Sequence, residues 1–194
     1  VVMSLMMSPP RGRIIERNYD YPDFKTALKK YRNRFFFLAG GGTLNPMLHR
    51  YGEPATVTDA VRKEFAAIAN TAIDAGAKGF GEMSSLHVSL SPAHGYSYVP
   101  ADHPLLLMLA DIAAERDVPL DLHMDALASE KKPSARLSRY PKNPEKFPAT
   151  LAALERLLVH NRKAKIIWAH GGTDHLGDFS PQVIRRFMDR HPNL

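Results

Sequence analysis

The sequence predicts an α/β protein whose strands lie parallel in one sheet, and three observations carry that prediction. Short apolar, β-rich runs recur five times along the 194 residues. Each run is followed by a polar loop containing Gly or Pro, and then by a segment with apolar residues at helical spacing. No two runs are joined by a tight-hairpin signal. Serial β-loop-α units of this kind bury both faces of a parallel sheet under helices.

The first unit joins "VVMSLMM" through "SPPRGR" to a helix from Asp23 to about Arg32. The second runs from "RFFFLAG" through "GGTLNPMLHRYGEPA" to a helix opening at Thr58 and closing at Gly76, a residue type suited to a helix C-terminus. The third has "AKGFGEM", the long loop "SSLHVSLSPAHGYSYVPADH" and a helix from Pro104 to about Arg116. The fourth has "VPLDLHM", a long loop reaching Asn143 and a helix from Pro144 to about Asn161. The fifth has "KIIWAH", "GGTDHLGDFS" and a helix from Pro181 to Arg190.

Composition narrows the function classes. With 44% hydrophobic and 24% charged residues the chain can bury a core, and it forms one domain spanning 1–194. No run reaches the roughly 18 apolar residues of a membrane span, and "VVMSLMM" is too short for a signal peptide and lacks a basic lead. The absence of Cys excludes disulfides and thiolate ligands, so any metal must be held by His, Asp or Glu. The net charge of +6 is scattered and not interleaved with aromatics, which argues against nucleic acid and for a small, possibly anionic substrate.

Between an open doubly wound sheet and a (β/α)8 barrel, the strand ends decide. There is no Gly-rich phosphate loop, and three successive strands finish on metal-ligand types: Glu82 in "GFGEM", His123 in "DLHMD" and His170 in "WAHGG". Barrel enzymes place their chemistry at the C-terminal ends of the strands. Gly171 and Gly172 would let the chain turn away beside a ligand. Counting by twos puts Phe80 and Lys78 on the face of Glu82, Asp121 on that of His123, and Ile166 and Trp168 on that of His170. Leu120 and Leu122 would then face the helices, while Lys78 and Asp121 lie deeper, where they could pair with each other or support the ligands.

Taken singly, a strand-end histidine is more often structural than a ligand, and Glu82 alone could pair with Lys78 or an arginine. The combination favours a site. Among the other histidines, His49, His87, His94 and His103 fall in loops and are expected to be solvated, with His87 and His94 overhanging the site. His160 and His191 are read as structural. Asp174 and His175 follow His170 closely enough to touch a substrate, although a polar loop tip explains them equally well.

The runs "GFGEM", "VPLDLHMD" and "KIIWAHGG", in this order and at these separations, resemble the middle of a metal-dependent hydrolase of the amidohydrolase superfamily, in the amidohydrolase 2 branch. The resemblance covers essentially the whole chain. It implies a TIM barrel in which Glu82, His123 and His170 are the metal-binding and catalytic residues of the fourth, fifth and sixth strands. It further implies a divalent ion, zinc first and Mn, Co or Fe as substitutes, that activates water against an amide, lactone or ester carbonyl. A decarboxylase on the same fold is the near alternative. The family's His-x-His pair is absent, and "HPNL" stands where a seventh strand would begin. The chain therefore reads as an incomplete barrel of about five βα units, strands two to six of a longer parent that could form homo-oligomers.

Several expectations follow from that reading. Phe80, Ile166 and Trp168 should be partly exposed, and the 194 residues by themselves should hold no tightly bound ion and show no measurable turnover. The compartment stays open between cytoplasm, the simpler expectation, and periplasm. For substrate contacts, Tyr96 and Tyr98 offer amphipathic pocket wall, and His175 is a candidate because it closely follows His170. Arg136 and Arg139 belong to a basic stretch with Lys131, Lys132, Lys142 and Lys146 that suits an anion, or simply gives a solvated loop. The other class left open is a metal-free α/β protein that binds a small molecule or a partner and whose strand-end histidines are structural.

Overall fold

The computed structural model describes residues 4–7, 19–31, 34–92, 95–172 and 175–194, so His94 and Asp174 lie outside the described residues. The strands are β1 (Ser4–Met7), β2 (Phe35–Gly40), β3 (Phe80–His87), β4 (Ser97–Tyr98), β5 (Pro119–Met124) and β6 (Lys165–Trp168). The helices are α1 (Tyr21–Lys30), α2 (Leu44–Arg50), α3 (Asp59–Asp74), α4 (Pro104–Glu115), α5 (Leu151–His160) and α6 (Pro181–Arg190). Five strands pair in parallel in the order β1-β2-β3-β5-β6, and β4 pairs antiparallel with β3. The α/β class with a parallel sheet of alternating strands and helices is thus observed. Among the described residues, no helix is long and apolar enough to cross a membrane.

Each helix packs the face its sequence makes apolar. In α4, "PLLLMLADIAAE" buries Leu105, Leu106, Leu109, Ala110, Ile112 and Ala113 against the sheet. A smaller cluster joins Tyr21, Phe24 and Leu28 of α1 to Phe37 and Ala39 of β2, with the Phe24 and Phe37 rings stacked 5.0 Å apart. Buried Asp20 caps α1. Its carboxylate also accepts from the Gly40 and Gly42 amides and from the Thr43 hydroxyl, at 2.7–3.2 Å, tying the approach to α1 to the end of β2. Gly42 has to be glycine, because a Cβ there would lie 2.1 Å from the Tyr19 carbonyl oxygen.

The structure departs from the sequence reading at three elements. α2 occupies a stretch read as loop: it has seven residues, Pro46 in its first turn and no side-chain cap, and it is held by burial of Leu44 to Leu48. The helix expected from Pro144 begins at Leu151, because the preceding segment pairs Phe147 with Lys131 and anchors Thr150 to Leu127 and Asp125. β4 returns on β3 through a long connection, which leaves no two-residue turn signal to read.

The expected faces of two strands are also corrected. Phe80, Ile166 and Trp168 are not partly exposed; they are 0%, 4% and 7% exposed and lie in the helix-covered core. Trp168 sits against Phe179 and Phe187, and its indole N–H donates to the Met124 carbonyl at 2.7 Å. β6 ends at Trp168, and residues 169–171 form a 3-10 turn, so counting back by twos from His170 gives the wrong parity. Ile167, 39% exposed, is the residue on the other face. In β3, Phe80 pairs with Leu120 but Met83 pairs with Leu122, an extra residue that reverses the alternation between Phe80 and Glu82. Lys78 precedes β3, is exposed, and supports no ligand. Leu120 and Leu122 face the helices as expected.

Candidate functional site

Glu82, His123 and His170 come together across three neighbouring strands: His123 and His170 stand at and just past the C-terminal ends of β5 and β6, whereas Glu82, expected to finish its strand, is the third residue of an eight-residue β3 that runs on to His87. One Glu82 oxygen, Oε1, lies 2.5 Å from His123 Nδ1 and 2.9 Å from His170 Nε2. A carboxylate only accepts, so in this arrangement both ring nitrogens carry the proton and donate. The Glu82 and His123 side chains are 11% and 12% exposed, whereas that of His170 is 52% exposed, so the cluster opens on the His170 side. His170 has a left-handed backbone (φ 62°), followed by Gly171 and Gly172 at φ 64° and 79°, and this sharp turn swings the imidazole back over the sheet.

Glu82 owes its direction to the extra residue in β3. β2 pairs with β3 only at Ala39–Phe80 and Gly40–Gly81, then turns away into α2. The Asn45 side chain of α2 takes over: its amide donates to the Glu82 carbonyl at 2.6 Å and its oxygen accepts from the Ser84 amide at 2.9 Å.

Electrostatics set the carboxyls apart. Burial by itself would raise Glu82, but hydrogen bonds and charge from His123 and His170 outweigh it and hold the group below its ordinary range. Asp121, one step deeper on the face of His123, is 3% exposed, and its Oδ1 has no hydrogen-bond partner. Burial, with the Glu82 charge adding to it, pushes Asp121 up to about 6 against the pull of His170 and His123. Gly81 makes room for it, since a Cβ at 81 would lie 2.8 Å from Asp121 Cβ.

The remaining histidines and substrate candidates spread out. His87 stands beside the cluster, its ring 5.3 Å from that of His123 and its Nδ1–H donating to the Gly95 carbonyl. His49 and His103 are not solvated: burial lowers His49 to about 4, and His103, fully buried, accepts from the Leu105 amide at the start of α4. His160 pairs with Asp111, and His191 is buried against Phe187, as structural residues do. Tyr96 packs on Phe147, and burial pushes its hydroxyl up to about 12. Tyr98 lines a cavity of about 480 Å³ with His49, Arg50 and Glu53, which none of the three cluster residues lines. Arg136 and Arg139 are exposed around the 3-10 turn Leu137–Arg139, and His175 is half-buried after His170. In the same basic stretch Lys131 is engaged by Asp178 and Lys142 by the Pro92 carbonyl, so much of its charge is committed to structure.

No family model, curated protein or solved structure matches the chain. The chemistry of the site therefore rests on its donors. Two imidazoles and a carboxylate, with ligand atoms all within 4.8 Å of one another, form a donor set that suits zinc or ferrous iron. To share one ion tetrahedrally the donors must stand about 3.4 Å apart, so Glu82 has to open away from His123 by about 1 Å. The buried Asp121 carboxyl beneath favours a cation. Sequence reasoning named the three clustered residues and Asp121 but missed Asn45, which lay in a stretch read as loop; a polar side chain between Leu44 and Pro46 was the available signal.

Proposed function

We propose that this chain carries the metal-binding strands of an amidohydrolase-superfamily hydrolase built on a TIM barrel and acting on a carbonyl group of a small substrate. One observation carries the reading: two imidazoles, at and just past the C-terminal ends of β5 and β6, converge with a carboxylate from the neighbouring parallel strand β3. Glu82, His123 and His170 would hold a divalent ion, zinc first. When bound, such an ion lowers the pKa of water and polarises a carbonyl at neutral pH. The chain's own residues do the rest. Glu82 brings negative charge between the two rings, Asp121 adds charge from below, and the exposed flank of His170 leaves the approach for substrate. A decarboxylase would use the same ligands, and product analysis separates the two.

The test is metal analysis of the protein at its natural length, followed by His123→Ala and His170→Ala. The expected result is about one divalent ion per chain, lost in both variants together with ester, lactone or amide hydrolysis. Purified protein that carries no ion and gains no activity with zinc, manganese or cobalt would refute the assignment.

A further inference from the structure

We infer that Asn45 is a positioning residue for the candidate metal centre: its side chain acts as a surrogate strand partner that fixes where Glu82 points. The inference rests on the metal reading above for its function, although its geometry stands apart from it. β2 satisfies β3 only as far as Gly81, because Gly40 adopts φ 114° and sends the chain into α2. From that point the Glu82 carbonyl and the Ser84 amide have lost their neighbouring strand. The Asn45 carboxamide supplies one donor and one acceptor to those two groups, at 2.6 and 2.9 Å, as a paired strand would. The orientation of the amide is fixed by this pairing, since the flipped form would set oxygen against oxygen and N–H against N–H.

The residue between the two bonded groups, Met83, is fully buried in the core, so the segment 82–84 is pinned on one side by packing and on the other by Asn45. Asn45 is itself 0% exposed, leaving no room for water to replace it. Glu82 sits where β3 carries its extra residue, and an irregular strand without such a clamp has no reason to keep one side-chain direction. Support of this kind around a ligand is worth about 10- to 100-fold in ion affinity.

The experiment, in the protein at its natural length, uses Asn45→Ala, which removes both bonds, and Asn45→Asp, which keeps the acceptor for Ser84 and loses the donor to Glu82. Asn193→Ala is the stability control. Its amide donates to the carbonyls of Leu158, Asn161 and Ala164, beside the start of β6 and away from the cluster. Cobalt(II) titration followed by visible absorption should show about 10- to 100-fold weaker binding and an altered spectrum in both Asn45 variants. Asn193→Ala should leave both unchanged despite its lower melting temperature. In metal-free protein, proton NMR should show the hydrogen-bonded His123 Nδ1–H resonance broadened or lost in the Asn45 variants and kept in the control. If the unsubstituted protein binds no cobalt, the metal reading falls, and the NMR signal alone decides the role of Asn45. An unchanged His123 resonance in a folded Asn45 variant, or unchanged cobalt affinity and spectrum, overturns the inference.

Discussion

Replacing Asp121 by Asn should stabilise the metal-free protein at neutral pH. The ordinary pKa of 3.8 rises to about 6 in the folded state, and at ~1.36 kcal/mol per pH unit this corresponds to about 3 kcal/mol. The folded protein holds the Asp121 proton more tightly than the unfolded chain does. Stability therefore falls as pH rises from about 4 to about 6; below that window both states are protonated, and above it the full cost is present. Asn keeps the shape without the charge but still presents polar atoms to a site where Oδ1 has no partner, so the recovered stability is about 1–3 kcal/mol. Urea unfolding in EDTA can be followed by fluorescence of Trp168, the sole tryptophan and 7% exposed. Glu82, lowered in the fold, has the opposite slope in the acid range, but both proteins contain it, so only its coupling to Asp121 enters the difference. The gain in Asp121→Asn should be near zero at about pH 3, about a third of its full size at about pH 4.5 and complete by about pH 7. A gain that does not change with pH would refute the reasoning.

Three further outcomes are expected. Glu82→Gln in the protein at its natural length should leave the fold intact but reduce zinc binding by at least about 10-fold in calorimetric titration, because a neutral amide replaces the one charged donor of the cluster. Gly81→Ala should destabilise by about 1–3 kcal/mol in urea unfolding, since its Cβ would meet Asp121 Cβ at 2.8 Å and push β3 and β5 apart. Asn193→Ala should cost about 1–3 kcal/mol in the same assay, because three carbonyls lose their shared donor.

The strand ends were the legible part of this site. His123 and His170 close apolar runs, and a parallel sheet brings such ends together whatever the details of the loops; Glu82 reads as closing one too, but β3 continues past it to His87. What the sequence could not reveal was parity. Two-residue alternation holds only along an unbroken strand, and both the extra residue between Phe80 and Met83 and the turn at residues 169–171 break it. The helix α2 was hidden for a related reason: seven residues with a proline in the first turn have little propensity of their own and are helical because the core buries them. His49 and His103 were misplaced in solvent because nothing local marks a loop histidine that a distant element covers.

The two long loops above β3 and β5 are fastened to each other. Asn143 accepts from the Ser89 amide and donates to the Ser89 and Leu137 carbonyls, and Lys142 holds the Pro92 carbonyl. In many β/α proteins each loop is a separate module that can be exchanged while its neighbours stay as they are. Here the unit of exchange is the pair: a graft that replaces only one of them strands the bonding partners of the other. Variation in this wall, natural or engineered, has to arrive as matched changes on both sides of the Ser89–Asn143 tie.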